Sequence, residues 1–437
     1  MRGHRMRIMA REGVGLRKWL LPLVALAVLI PGQVSAAEDD VDRDQGSLAE
    51  ALKKGKVTVD LRYRLEQVSD DVSAVADDDA TASTLRTTLA YQTARWRGLS
   101  GYVQFEDVSN LGATNLHNDT QNGISERPVI ADPKGTELQQ IYLRYRFDNQ
   151  VDVTAGRVEF LFDDERFIGP VGWRQNHQSF DVAMVSVLSI PQTRLTYVYL
   201  DNVNTIIGSN LGMTSHLLNA RIKIGSGELA PYVYILDYDD AAEADRFSTS
   251  TYGAGWDNSW KIGEKWSIPY HAQYAMQQDA GDNTNNVDVD YMRFEIGARH
   301  KTCWARIGYE LLEGGDGQGK FTTPLATLHK FNGWADRFLA TPAGGLVDLY
   351  VAAGGTWGEG WSAMAAWHDF SADNTFDDGS GNRVDDYGTE FDVQVVYKAS
   401  WKQTFGLKAA LYSADDSSTL AISEDATKIW LWTGYKF

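Results

Sequence analysis

Apolar and polar residues alternate without a break through VTVDLRYRLE, residues 57 to 66, and no other feature of this chain restricts its fold as much. Val57, Val59, Leu61, Tyr63 and Leu65 fall on one side, and Thr58, Asp60, Arg62, Arg64 and Glu66 on the other. A period of two is a strand signal, because successive side chains point to opposite faces of a sheet. The last ten residues, KIWLWTGYKF, repeat it: Phe437, Tyr435, Thr433, Leu431 and Ile429 oppose Lys436, Gly434, Trp432, Trp430 and Lys428. A final strand that ends on a large aromatic needs an apolar medium to receive that face.

The pattern recurs along the chain. STLRTTLAYQ from 83, SGYVQFED from 100 and QQIYLRYRF from 139 each put aliphatic and aromatic residues opposite Arg, Gln, Thr or Glu. Further strands are read near 150–157, 179–188, 193–201, 216–224, 230–238, 250–261, 265–277, 287–299, 302–312, 346–354, 361–370, 388–398, 403–412 and 428–437. That makes about 18, an even number, as membrane barrels require. Some connections are tight, such as DNQ at 148–150; WRGLSG, GSGEL and KIGEKW are comparably short. Others are long and acidic: 68–82, 109–136, 158–178, 239–249, 278–286, 313–345, 371–387 and 413–427. Short turns on one rim and long loops on the other predict an all-β fold. It is a transmembrane antiparallel up-and-down β-barrel with short periplasmic turns and long extracellular loops. A soluble sandwich would also solvate one face, but it has no use for so many long strands or for an exposed aromatic terminus.

The other end of the chain fits export. Arg2, Arg5, Arg7, Arg11, Arg17 and Lys18 precede the apolar run WLLPLVALAVLI, and VSA follows at 34–36. This predicts a signal peptide over 1–36, cut near Ala36; the run is shorter than the roughly 20 residues of a spanning helix. Residues 37–56 are read as a periplasmic segment with a short helix at SLAEALKK, where Ser47 and Glu50 form a capping box, and the barrel as 57–437. No plug domain is read ahead of Val57. The formal net charge of −18 gives no basic footprint for nucleic acid. The single cysteine, Cys303, rules out an intramolecular disulfide framework; it is read as a small residue facing lipid or a protein neighbour.

Function is expected on the inward face, since a barrel of this size holds an aqueous lumen. That face carries Arg62, Arg64, Arg86, Arg144, Arg146 and Arg293, with acidic residues among them. Two readings stay open: a solvated face whose charges pair across strands, or an arginine zone selective for anions, whose forks suit carboxylates. Trp430, Trp432, Trp256, Trp260, Trp266, Trp361 and Trp401 are candidates for the interfacial aromatic girdles.

GRVEFLFDDERFIGPVGWRQN, 156 to 176, and FTTPLATLHKFNGWADRFLATPAGGLVDLY, 321 to 350, resemble the signature loops of the bacterial alginate export family, and VDLRYRLE and ELQQIYLRYRF…VDVTAGR resemble its early strands. The resemblance implies an 18-stranded monomeric barrel. It also implies an arginine-lined conduit for an anionic uronic-acid polysaccharide, with long loops folded over or into the pore. By position in these motifs it implies lining roles for Arg62, Arg64, Arg144, Arg146, Arg157, Asp163, Asp164, Arg166, Arg174, Asp336 and Arg337. Separately, the terminal aromatic with alternating apolar residues upstream resembles the C-terminal recognition strand of bacterial outer-membrane proteins, which implies that Phe437 is read by the barrel assembly machinery, with membrane lipid and lipopolysaccharide as surroundings.

Other signals are weaker. NTFDDGSGNRVDD, 374 to 386, lacks the ligand order of a calcium loop. The histidines show no metal-ligand spacing, and His177 with Ser179 in NHQS makes no triad by adjacency alone. No cofactor, metal or enzymatic activity is expected. Two functions remain: export of an anionic polysaccharide or a related anionic solute, or a general or substrate-preferring porin for small solutes.

Overall fold

The computed structural model describes residues 41–70, 79–148, 150–315, 319–415 and 420–437. The expected signal peptide lies outside the described residues. Eighteen antiparallel strands form one closed sheet, the fold expected from the alternation. Each strand pairs with the next, and the last, β18 (Ala426–Lys436), returns to the first, β1 (Lys56–Asp70). At that seam the Phe437 amide donates to Val59 O at 3.0 Å and the Val59 amide to Phe437 O at 2.8 Å. Closure leaves no open edge, which is the condition for strands to stand in lipid. Among the described residues no helix is long and apolar enough to cross a membrane; the chain crosses by strands.

The two faces sort as the period predicts. Leu143 is 59% exposed and Phe294 52%, both on the outer surface. Arg64, Glu66, Arg86 and Glu106 on the inner one are buried. At the short-turn rim Trp260, Trp266, Trp361 and Trp401 are exposed, joined by Trp357, where amphipathic rings suit an interface; Trp256 is half-buried. Trp430 and Trp432 do not join that girdle. Trp430 is fully buried, and both rings pack on Trp173 inside the barrel, because they alternate with the outward Ile429 and Leu431.

Residues 41–55 and the C-terminal Phe437 lie at the short-turn rim. There the helix α1 (Leu48–Lys53) is capped by Ser47, whose Oγ accepts from the Glu50 amide at 3.2 Å. At the other rim strands outrun the sequence reading. β15 (Trp361–Asp377) and β16 (Arg383–Lys398) continue to a five-residue tip at 378–382, and β1 reaches Asp70 opposite Ala426. Backbone pairing extends past the apolar band, where outward residues need no longer be apolar and the alternation fades. A second short helix, α2 (Ala241–Phe247), sits in the 237–248 connection with Asp240 as its N-cap.

Candidate functional site

Two connections leave the rim and fold into the lumen. One is 159–178, between β5 (Val151–Val158) and β6 (Ser179–Val187). The other is 313–345, between β13 (Cys303–Leu312) and β14 (Leu346–Trp357). They bond to each other: the Gly169 amide donates to Leu325 O at 2.9 Å, the Thr327 amide to Glu165 O at 3.1 Å, and Thr327 Oγ1 to Glu165 Oε2 at 2.6 Å. Among the described residues, five of the eleven non-glycine residues with positive φ lie in these loops: Asp163, Glu165, Val171, Asn332 and Asp336. Val171, at φ 53°, is the costliest, since a β-branched side chain disfavours that region. Such conformations persist where the surroundings over-determine them, and the arginines supply those surroundings.

Arg62 and Arg64 on β1 hold the first loop by its backbone. Arg62 Nε donates to Gln175 Oε1 at 2.9 Å, Nη1 to Gly172 O at 3.0 Å, and Nη2 to Trp173 O at 2.9 Å and to Arg174 O. Arg64 Nη1 donates to Trp173 O at 2.6 Å, and its Nη2 pairs with Asp132 and, at 3.2 Å, with Glu66. Burial works against the Asp132 charge, but Arg64 and Arg174 hold its carboxyl below the ordinary value. Arg174 in turn bonds Glu66 at 3.3 Å and Asp336 of the second loop at 3.1 Å, and these acids keep it charged against burial. Arg86, on β2 (Asp79–Gln92), pairs with Asp60 at 3.1 Å and meets His177.

Across the barrel, Arg166 is buried with a single carboxylate partner among the described residues. Its Nε donates to Glu310 Oε1 at 2.6 Å, Nη1 to Thr323 Oγ1 at 3.2 Å and Nη2 to Asn332 Oδ1 at 3.0 Å. Glu310 also accepts from Tyr291 Oη at 2.6 Å and Asn332 Nδ2 at 2.8 Å. Arg293 pairs with Asp164 of the first loop and with Glu295. Burial opposes the Asp164 charge, and Arg293 outweighs it, so its carboxyl lies below the usual value. Its neighbour Asp163, bonded by Asn219 Nδ2 at 2.8 Å, is raised by burial. Arg337 grips the outer rim through Asp70 and the carbonyls of Glu424 and Asp425.

The second loop is pinned around His329. Its Nδ1 lies 2.6 Å from Asp336 Oδ1 and its Nε2 2.7 Å from Lys408 Nζ. Burial pushes this imidazole down to about 3, against the pull of Asp336 and with Lys408 adding to the fall. The neutral ring therefore donates from Nδ1 and accepts at Nε2. Asp336, which also pairs with Lys428 at 3.1 Å, is held well below the carboxylate range by His329, Lys428 and Arg174 despite its burial. Trp173 stacks on His329 with centroids 4.8 Å apart. Lys408 Nζ stands 3.6 Å from the ring centre of Trp334 and 4.2 Å from that of Trp173, a cation–π contact of the strong, desolvated kind.

The sequence-predicted residues thus come together as fasteners of the loops more than as a free ring. Arg146 is bidentate to Asp152 at 2.6 and 2.8 Å. Arg144 is the exception: it makes no ion pair among the described residues, and its Nε is buried without a partner. Arg157 is misplaced by the family motif. It opposes Ile141, which is 49% exposed, and pairs with Asp181 at 2.8 Å on the outward face. Lys408, Lys428, His329, Asp132 and Asn332 were not singled out from sequence. The two lysines lie on the polar side of their strands' alternation, which was signal enough; the loop residues carried none.

The paired loops divide the lumen. Toward the short-turn rim lies a cavity of about 600 Å³ that reaches Glu310 and Asn332. Toward the long-loop rim lies one of about 730 Å³ that reaches Arg166, Lys320 and Arg246. Among the described residues none lines both, so the Arg166–Glu310 pair is part of the partition.

A model of the alginate export family matches residues 54–195. The match takes in the first loop motif and supports the resemblance read from the sequence; the second motif lies beyond it. Among solved structures, OccK9 (OpdG) of Pseudomonas aeruginosa aligns with a TM-score of 0.67 at 14% identity, covering 89% of this chain and 99% of that one. OccAB2 of Acinetobacter baumannii gives the same four values. OpdK of Pseudomonas aeruginosa, solved with vanillate, gives a TM-score of 0.66 at 14% identity over 88% of this chain and 99% of that one. At such identity the likeness shows the fold, an outer-membrane porin barrel. A search of curated protein sequences finds no match.

Proposed function

We propose that this chain is an outer-membrane diffusion channel for small polar solutes, restricted by its 159–178 and 313–345 loops. One observation carries the reading: the loops are fastened across the lumen by buried ion pairs and leave a separate cavity on each side, of about 600 and 730 Å³. Cavities of that size hold one small molecule each, whereas a polymer must displace the loops. Of the lumen arginines named above, all but Arg62 and Arg144 pair with acids among the described residues, so the field is largely balanced rather than polycationic. OpdK, of the same fold, was solved with vanillate, a small carboxylate, which agrees with the solute class. The barrel would act as a monomer in lipid and lipopolysaccharide, with Phe437 as its assembly mark.

The family match favours a second reading, passage of an anionic polysaccharide; it needs both loops to leave the lumen. Liposome swelling and planar-bilayer conductance separate the two. Glucuronate should permeate, and a polyuronate should neither permeate nor block from either side. Polymer passage, or block that deepens with chain length, would overturn the small-solute reading; a folded barrel that does not conduct would overturn both.

A further inference from the structure

The cavity on the short-turn side is acidic where the family resemblance predicts a basic conduit. Carboxylates outnumber basic side chains in its lining, and the basic ones are already engaged. Arg293 pairs with Asp164 and Glu295, Arg306 reaches Glu295 at 3.4 Å, Arg221 bonds Glu228, and Lys330 reaches Glu165 at 3.3 Å.

One carboxylate there has no hydrogen-bond donor. Asp392, on β16, is 0% exposed and lines the cavity, yet neither of its oxygens has a hydrogen-bond partner. Its cross-strand neighbours are Ala366 and Ala410, which offer no donor and leave space. Glu390, two residues away, gives Oε1 to the Trp334 and Ala335 amides, and its Oε2 has no partner either. His368 commits Nδ1 to Asp348 at 2.9 Å, and its Nε2 stays 3.9 Å from Asp392. Lys408, on the neighbouring β17 (Gln403–Ala414), turns to His329 and the tryptophans instead. A buried carboxylate without a donor is costly unless it is protonated or meets a cation.

We infer that the inner cavity holds a subsite for a small organic cation, an ammonium or guanidinium group, with Asp392 as its anchor and Asp348 and Glu310 beside it. Trp334, Tyr350 and Phe331 line the same space, and each already stands by a cation of the chain, Lys408, Arg306 and Arg293 in turn, so cation–π contact is in use in this cavity. Among the described residues no group of three metal-ligating side chains is placed to hold a metal ion, and the cavity is far larger than one ion needs. The subsite deepens the small-solute reading: the restricted lumen would favour solutes that carry a positive group in addition to any acidic one.

Isothermal titration of agmatine, a small guanidinium–ammonium cation, into the detergent-folded full chain tests this. Wild type should bind at a single site, and Asp392→Asn should weaken binding about tenfold or more, the usual loss for a charged partner. If that variant does not fold, Asp348→Asn should show the same loss. Glutarate should not respond to either substitution. No binding to wild type, or equal affinity in the variant, would overturn the subsite and would mean that Asp392 is simply protonated. Bilayer conductance of the same preparation keeps the two ideas apart. A conducting barrel without agmatine binding removes the subsite and leaves the channel reading; agmatine binding to a barrel that does not conduct does the reverse.

Discussion

Glu310→Gln should open the partition between the two cavities. The substitution is nearly isosteric; it removes the charge and turns one of two accepting oxygens into a donor, facing either Arg166 and Tyr291 or Asn332. Arg166 keeps its bonds to Thr323 and Asn332 and its place 4.9 Å from the Phe331 ring. It loses its one carboxylate, at a site where both side chains are nearly fully buried. Breaking a buried pair by removing one partner costs about 3–5 kcal/mol, because the remaining charge is left uncompensated. That is a shift of roughly 10² to 10³·⁵ against the loop-in arrangement. The cost falls mainly on the 159–178 loop, since Arg166 belongs to it while Glu310 belongs to the rigid wall of β13. Leaving the lumen would restore water to the guanidinium. Single-channel recordings should show higher mean conductance with excursions between two levels, and the loop should become protease-sensitive. The double variant Arg166→Met with Glu310→Met buries apolar groups of similar size, which is often neutral or stabilising, and should return conductance toward the wild-type level. Unchanged conductance and protease resistance in Glu310→Gln, or a double variant as open as the single one, would refute the reasoning.

The remaining predictions concern other fasteners. His329 has its imidazole lowered to about 3 from 6.5, so the loop-in state binds fewer protons than the loop-out state between those values. Loop packing should therefore weaken as pH falls through that window, by at most about 1.4 kcal/mol per pH unit. His329→Gln should flatten the pH dependence of conductance; the lowered Asp336 keeps its contribution until pH falls below the ordinary carboxylate value and adds to the loss only at the bottom of this window. Arg144→Glu should move ion selectivity toward cations with little loss of thermal stability. Arg146→Glu should lower stability, because it sets a like charge against Asp152 where a bidentate pair stood; reversal potentials and melting temperatures check both. Deleting Phe437 removes two seam hydrogen bonds, each worth about 1 kcal/mol, and should lower the folded fraction seen as heat-modifiable mobility on gels.

The alternation placed more than it was allowed to. In VDVTAGRV it sets Arg157 with Val151, Val153 and Ala155, the side that faces out, and the structure agrees; motif position pointed the other way. The terminal strand likewise sets Trp430 and Trp432 opposite Ile429 and Leu431, so a girdle role contradicted the period. In both cases a local steric rule was overridden by a residue-type expectation, and the rule held. Arg62 and Arg64 were legible as inward residues for the same reason. That they clamp the backbone of residues 172–174 was not legible, because no local pattern reports where a loop goes once it leaves the rim.

The sequence by itself determines the barrel: strand number, the two rims, which face meets lipid and the seam at Phe437. All of these follow from a period set by backbone geometry and an apolar surrounding that selects one face. The tertiary structure alone decides what the lumen is. Charges left open between cross-strand pairs and an arginine zone become partners of acids, some across strands, as Arg146 with Asp152, and others brought in by the two loops, as Arg174 with Asp336 and Arg293 with Asp164, because burial makes pairing obligatory and only the folded path of those loops supplies the latter partners. It also decides which carboxylate is left over. Asp392 is one polar residue among many in the strand pattern, and its isolation depends on two alanines across the sheet and on a lysine that turned elsewhere.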